Sequence, residues 1–330
     1  MRNLTNSECK FLKQIAQLRQ TPLRKALGGF LKGKYDKIVQ TSEFIYAEGD
    51  IPIALVAHMD TVFKTLPKDI YYDRDSNVMW SPTGLGADDR AGVFAICQII
   101  KAGLRPHIIF TTDEEVGGLG ARALSLLPCP FEDLRYIIQL DRRGEKDCVF
   151  YDCDNKDFET YVEGFGFENA WGTFSDISYL APAWKVAAVN LSIGYFSEHT
   201  TSEILNINYM LDTIEKVKVM LQQEEIPSYE YIECDYSAYG YGTWWDEYYN
   251  IGGKKAKCCV CGHTCDEHDT FPVKFALDTE LPICLDCISH NSIKWCRFCG
   301  LPYVGNAGAE GLCYTCTSEH KDDKYEEKAV

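Results

Sequence analysis

The sequence predicts an α/β sandwich with a mostly parallel central sheet, followed by a small cysteine-rich module. Three observations carry that expectation. Short, continuously apolar runs recur at residues 53–57 (IALVA), 107–110 (HIIF), 136–140 (YIIQL) and 185–193 (KVAAVNLSI), and such runs suit strands buried on both faces. Segments with apolar residues at helical period alternate with them, the pattern of helices layered on a sheet. Ten of the sixteen cysteines fall between Cys258 and Cys316, mostly as CxxC pairs.

The elements follow in order. Thr5 and Glu8 have capping-box spacing. Phe11, Leu12, Ile15 and Leu18 then repeat at helical period, giving an amphipathic helix expected to end near Thr21-Pro22. Leu27-Gly28-Gly29-Phe30 reads as a turn, and residues 46–50 lead into the first strong strand, which ends in His58-Met59-Asp60-Thr61. Residues 71–80, turning at Asp75-Ser76-Asn77, read as a hairpin. GLGADDRAG (84–92) runs into a helix through Phe94, Ile96, Ile99 and Ile100, closed by Gly103. Strand 107–110 leads into TTDEEVGG (111–118) and a helix over 119–127 stopped by Pro128. Strand 136–140 ends at Asp141. A short strand at 148–151, a helix at 157–162, strand 185–193 and a long helix through Ile207, Leu211, Ile214, Val217 and Leu221 complete the unit, placed at residues 1–223.

Composition narrows the function. A hydrophobic content of 46% supports a real core. A net charge of −16 argues against nucleic acid or anionic membranes as partners, since both call for basic patches. No stretch approaches a membrane span, and the start MRNLTNSECK lacks the apolar core of a signal peptide. The clustered cysteines therefore read as metal ligands in a reducing, cytoplasmic compartment.

Chemistry-bearing residues recur at one kind of place. His58, Asp88, Glu114, Glu115, Asp141 and His199 each follow an apolar strand or open a helix. In parallel sheets the carboxyl ends of the strands line a common crevice, so the fold itself gathers them. Histidines and carboxylates in one crevice suit two zinc-class ions, with one carboxylate bridging. In TTDEEVGG, adjacent glutamates can divide the work, one binding metal and the other handling a proton.

AHMDTV (57–62), GADDRAG (86–92), TTDEEVGG (111–118), QLD (139–141) and SEHTTSE (197–203), in that order, resemble the di-zinc exopeptidase superfamily. Its members include peptidase T, carboxypeptidase G and the leucyl and glutamyl aminopeptidases. The resemblance covers about residues 50–223 and implies a zinc-exopeptidase-like sandwich holding two Zn²⁺ (or Co²⁺ or Mn²⁺). It implies that Asp88 bridges, that His58 and Asp141 complete one site, and that Glu115 and His199 complete the other. Glu114 would be the general base and Asp60 the partner that fixes the His58 tautomer. Asp89 and Asp113 read as cap or loop hydrogen-bonders. The segment 172–176 (GTFSD) resembles a loop lining the family's substrate cleft, although a simple turn fits equally. Arg142 and Arg143 read as surface ion-pairing groups or as binders of a substrate carboxylate. Only 29 residues separate His58 from Asp88 and 57 separate Asp141 from His199. An inserted lid domain of about 50 residues or more does not fit there, which favours the compact aminopeptidase architecture, whereas the motifs lean towards peptidase T.

Residues 224–253 form an acidic linker rich in Tyr and Trp, either a tether or an arm packed across a domain or partner; the tether is the simpler reading. The module at 254–318 holds four CxxC pairs: Cys258 with Cys261, Cys284 with Cys287, Cys296 with Cys299, and Cys313 with Cys316. They predict two Cys₄ sites holding two structural Zn²⁺, paired sequentially or interleaved. Six Lys/Arg against seven Asp/Glu over residues 254–317, plus the negative Cys₄–zinc units, favour a protein partner or self-association over nucleic acid. Residues 319–330 are a charged tail. The expected activity is metal-dependent hydrolysis of short peptides, aminopeptidase-like. The alternatives are deacylation of N-acyl amino acids and a non-catalytic interaction protein on the same fold.

Overall fold

A computed structural model describes residues 2–234 and, beyond them, the backbone of six short strands. The chain divides into two compact units, Met1–Cys234 and Asp235–Val330.

In the first unit, α1 (Asn6–Ala16) begins at the expected capping box, with the Thr5 side chain and Glu8 satisfying each other's backbone donors. It ends earlier than its periodicity implied. A second helix, α2 (Gln20–Leu31), begins at once and runs through both Thr21-Pro22 and Gly28-Gly29, correcting the expected break and turn. Pro22 is tolerated because the first helical turn needs no donor there. Leu23, Leu27 and Leu31 supply the buried stripe. A hairpin unrecognised in the sequence follows, β1 (Lys37–Gln40) with β2 (Phe44–Glu48).

The remaining elements are β3 (Ile51–His58), β4 (Tyr71–Asp73), β5 (Val78–Trp80), α3 (Ala87–Lys101), β6 (Pro106–Thr111), α4 (Leu119–Ser125), β7 (Tyr136–Arg142), β8 (Asp147–Val149), α5 (Lys156–Glu163), β9 (Glu168–Asn169), α6 (Ile177–Trp184), β10 (Ala188–Ser192), β11 (Tyr195–Phe196), β12 (Ile204–Asn206) and α7 (Ile207–Leu221). The main sheet has the order β1-β2-β6-β3-β7-β10-β8-β9. Its centre, β6-β3-β7-β10, is parallel throughout, and antiparallel pairs flank it. Strands β11-β12-β5-β4 form a smaller antiparallel sheet.

Strand alternation divides the core in two. Ile53, Leu55 and Ala57 of β3, with Ile108, Phe110, Ile138 and Leu140, pack with α1, α2, α3, α5 and α7. Ala54 and Val56, with Ile109, Ile137 and Ala188, pack with α4 and α6 on the opposite face. The result is a three-layer α/β/α sandwich with its central strands β3, β6, β7 and β10 buried on both faces. The 57 residues between Asp141 and His199 are used within this framework: β8, β9 and β10 all join the main sheet.

Residues 226–234 also lie on this unit. Tyr229 packs on Tyr136, Phe158 and Tyr161, and single bridges pair Val186 with Glu230 and Cys153 with Glu233. In the second unit the described backbone forms three antiparallel hairpins: Lys255–Lys257 with Thr264–Asp266, Thr270–Phe275 with Thr279–Cys284, and Lys294–Trp295 with Pro302–Tyr303. The expected zinc ligands are Cys258, Cys261, Cys284, Cys287, Cys296, Cys299, Cys313 and Cys316, and the side chains of all eight lie outside the described residues. The two Cys₄ sites expected of them therefore stay an expectation from sequence. The rest of the linker (235–253) and the tail also lie outside the described residues. Among the described residues no helix is long and apolar enough to cross a membrane.

Candidate metal centre

The parallel centre of the sheet puts the ends of β3, β6 and β7 side by side, with His58 in register with Thr111. His58 closes β3, and Asp141 is the penultimate residue of β7 rather than a loop residue. Glu114 and Glu115 form a 3₁₀ turn just past β6. Asp88 and Asp89, joined by a cis peptide bond, open α3. His199 lies in the loop between β11 and β12.

These elements bring the sequence-predicted ligands together in two groups that share Asp88: His58, Asp88 and Asp141, and Asp88, Glu115 and His199. Within each group the candidate donor atoms lie within 4.8 Å of one another. Nε2 of His58 is 3.0 Å from Asp88 Oδ1 and 3.5 Å from Asp141 Oδ1. Nε2 of His199 is 3.1 Å from Asp88 Oδ2 and 2.9 Å from Glu115 Oε2. Asp88 thus turns one oxygen to each histidine, as a bridging carboxylate must.

Asp60 stands behind His58, its Oδ1 3.2 Å from Nδ1. The pair is close but poorly aligned, and Nδ1 makes no well-formed hydrogen bond. Asp60 is better engaged with the glutamate turn: Oδ1 accepts the N–H of Glu114 at 3.1 Å and Oδ2 that of Glu115 at 3.0 Å. Asp60 also lines a cavity of about 330 Å³, together with Arg19, Gln20, Thr61 and Lys64 among others. None of the five metal-facing residues lines it.

Several positioning groups escaped the sequence reading. The β7–β10 register shifts between Asn190 and Ser192, and such bulges re-aim side chains. Asn190 clamps the irregular stretch, its Oδ1 accepting the N–H of Asp141 and its Nδ2 donating to the Asp141 carbonyl, both at 2.9 Å. Gln139 Nε2 donates to Asp141 Oδ2 at 3.0 Å, and the Tyr195 hydroxyl to Oδ1 at 3.2 Å. Two buried amides inside otherwise apolar strands were the available signal, because a buried polar group must find partners. Glu203 is buried and accepts backbone N–H groups from Gly86, Ala87 and Asp88 at 2.5, 3.2 and 3.2 Å. Asp89 Oδ2 accepts the His58 N–H and Oδ1 that of Gly92, consistent with the cap role expected for it. Asp113 exchanges two hydrogen bonds with the Gln20 side chain. Arg143 pairs with Glu198 at 2.8 Å, and Arg142 reaches Asp147 and the Trp171 carbonyl.

The electrostatics call for added positive charge. Burial, with the Asp88 charge second among the raising causes, pushes Glu114 up to about 7; burial and then Asp88 do the same to Glu115. Burial drives Asp141 well above the usual carboxylate range. Burial works against ionising His58, yet the carboxylates of Asp141, Asp60 and Asp88 hold its pKa well above the ordinary value. The Asp88 hydrogen bond raises His199 to about 9. Asp88 runs the other way: burial opposes its ionisation, but its two histidine partners win and hold it low. Glu115 Oε1 is buried without a partner. A donor set of two imidazoles and several carboxylates, with an orphaned carboxylate oxygen among them, fits divalent cations of the zinc class.

No family model and no curated protein matches this sequence. Solved structures do. The chain is similar to a tripeptidase from Staphylococcus aureus, at 14% identity over 66% of this chain and 98% of that one, with a TM-score of 0.52. It is similar to aminopeptidase PepT from Bacillus cereus, at 15% identity over 64% and 96%, TM-score 0.51. A TET aminopeptidase from a marine-sediment thaumarchaeon aligns at 11% identity over 67% and 98%, TM-score 0.54. The fold is the one these aminopeptidases share. At such identities the likeness is one of architecture. Within that architecture His58, Glu115 and Asp141 stand at the carboxyl ends of the parallel strands β3, β6 and β7, where ligands of open α/β sheets bind.

Proposed function

We propose that the chain is a di-metal hydrolase that cleaves amide bonds in short peptides in the manner of an aminopeptidase. The observation that carries this reading is Asp88, whose two oxygens face His58 on one side and His199 on the other. His58, Asp88 and Asp141 would hold one cation, and Asp88, Glu115 and His199 a second. When bound, the two cations would lower the pKa of an attacking water and polarise the scissile carbonyl. Asp60 and Asn190 hold the ligand-bearing backbone in place. Glu114 belongs to neither ligand group, which leaves its carboxylate free to serve as the general acid–base group. It takes one proton from water as the new C–O bond forms, and delivers it to the amine nitrogen as the C–N bond breaks.

The buried Cys97, Cys148 and Cys153 are thiols outside any disulfide, which supports a reducing compartment such as the cytoplasm. Two structural Zn²⁺ in the four CxxC pairs, and a protein partner docking there, belong to the same proposal. Deacylation of N-acyl amino acids is the second reading. It uses the same centre, because the acyl and peptide carbonyls present the same chemistry.

The test is Glu114→Gln in the full chain, with metal content measured beside turnover of unblocked and N-acetylated tripeptides. Turnover of the unblocked peptides should fall about 10²–10⁴-fold while metal content is unchanged. Full activity in the variant, or bound metal no greater than the cysteine module accounts for, would overturn the reading.

A further inference from the structure

The largest fully buried side chain among the described residues is a cation, Arg90 on α3, only 1% exposed. Its guanidinium donates to two backbone carbonyls, those of Met59 and, at 2.9 Å, Leu18. Its Nε has no hydrogen-bond partner, and no carboxylate among the described residues forms an ion pair with it. Asp60 and Asp89 act on it only from beyond ion-pair range. A buried charge held by neutral carbonyls lacks the direct countercharge that normally offsets its lost hydration.

Arg90 lines the cavity of about 330 Å³ that Asp60 shares, and so do two further cations, Arg19 and Lys64. Both of these are exposed, and neither side chain makes a hydrogen bond or ion pair among the described residues. The carboxylates of the same lining are already engaged. Asp60 accepts the N–H groups of Glu114 and Glu115, and Asp113 exchanges two hydrogen bonds with Gln20. The lining also includes Gln20 and Thr21, the first two residues of α2, a helix that no side chain caps. Their backbone N–H groups take no partner among the described residues. The positive end of the helix dipole therefore adds to the three cations. Phe63 and Leu66 complete the lining with apolar surface.

We propose that this cavity binds a small organic anion, whose carboxylate or phosphate group meets Arg19, Lys64 and Arg90 and whose apolar body lies on Phe63 and Leu66. The volume falls at the lower end of the range for small-molecule sites, about 300–1,000 Å³. Two unpaired surface cations, a buried guanidinium short of countercharge and an uncapped helix start all favour the same ligand charge. None of the five metal-facing residues lines the cavity, so the site is separate from the candidate metal centre. It stands independently of the amide-hydrolase reading.

The experiment is calorimetric titration of the full chain with phenyl phosphate, phenylacetate and, as an uncharged control, benzyl alcohol. At least one of the anions should bind, more weakly as salt is raised, and benzyl alcohol should not. The tighter of the two anions tells a phosphate ester site from a carboxylate site. The R19A/K64A variant should weaken the binding at least about tenfold, the scale of losing charge-assisted hydrogen bonds. R19K/K64R keeps both charges and should retain most of the affinity, which separates lost charge from disturbed packing. No turnover is needed, so a chain that cleaves no peptide can still show the site. Absence of binding by either anion would overturn the proposal, as would equal binding of benzyl alcohol. Binding unchanged in R19A/K64A but abolished in Glu115→Ala would place the anion on the metal-facing cluster, and that too would overturn it.

Discussion

Asp60 holds the backbone of Glu114: its Oδ1 accepts the Glu114 N–H at 3.1 Å, and its second oxygen does the same for Glu115. One carboxylate thus stands between His58 and the turn bearing both glutamates, and fixes two functional groups whose chain positions are 54 and 55 residues away. Asp60→Asn keeps the size but turns an amide donor towards an N–H donor. Metal affinity and kcat/KM are expected to fall about 10–100-fold, as for other groups that orient a metal ligand, with little change in melting temperature. Metal titration with steady-state kinetics checks this, and an unaltered metal affinity would show that Asp60 does not position the site.

Glu203 does for Asp88 what Asp60 does for the glutamates. Its carboxylate gathers three successive N–H groups at the start of α3. In Glu203→Gln an amide nitrogen must face at least one of those donors, leaving buried polar groups unmatched at a cost of about 1–3 kcal/mol. Denaturant unfolding should register that loss, and metal binding should weaken with it because Asp88 belongs to both ligand groups.

Gly92 brings α3 hard against the sheet. A Cβ at this position would stand 2.2 Å from the Leu140 carbonyl and 2.5 Å from the Asp89 carboxylate. Gly92→Ala is therefore expected to push the helix off β7 and destabilise the fold by ~1–3 kcal/mol, although alanine is the better helix former. An unchanged unfolding midpoint would contradict the close approach.

Asp176, which belongs to neither candidate ligand group, gives a pH signature of its own. It is fully buried, Oδ2 accepts the Thr111 hydroxyl, and Oδ1 has no hydrogen-bond partner. Burial first, then the charge of Glu114, raises its pKa to about 7. The folded state therefore keeps this proton to higher pH than the unfolded chain, where the carboxyl titrates near its ordinary value of about 4. The folded state holds more protons than the unfolded chain between those values, so stability should fall as pH rises from about 4 to about 7 and then level off. Asp176→Asn removes that slope and should be the more stable protein at pH 8. Urea unfolding across this range tests it, and parallel pH curves for the two proteins would refute it.

The sequence disclosed those parts of the fold that depend on short-range pattern. Strands β3, β6, β7 and β10 announced themselves as apolar runs, α3 and α7 by helical period, and the candidate ligands that the fold brings together by their places after those runs. Helix α2 was missed because glycines at 28 and 29 imitate a turn, whereas the leucine stripe, with Gly28 buried beside it, is enough to carry the helix. Helix α6 was missed because Pro182 lies inside it and a glycine-rich stretch precedes it. Glu203 and Asp176 were illegible for another reason. Each acts on backbone or side chains far away in sequence, 115 to 117 residues for Glu203, and no local pattern encodes such a pairing.

The two-faced core has a consequence for how this chain tolerates changes in length. His58 shares its parity along β3 with Ala54 and Val56, on the face opposite Leu55 and Ala57. A one-residue insertion or deletion before His58 would exchange the two apolar sets and turn the imidazole to the wrong layer at once. Viable length variants should therefore be found in the β4–β5 hairpin, and in β3 only as pairs of residues that restore the phase.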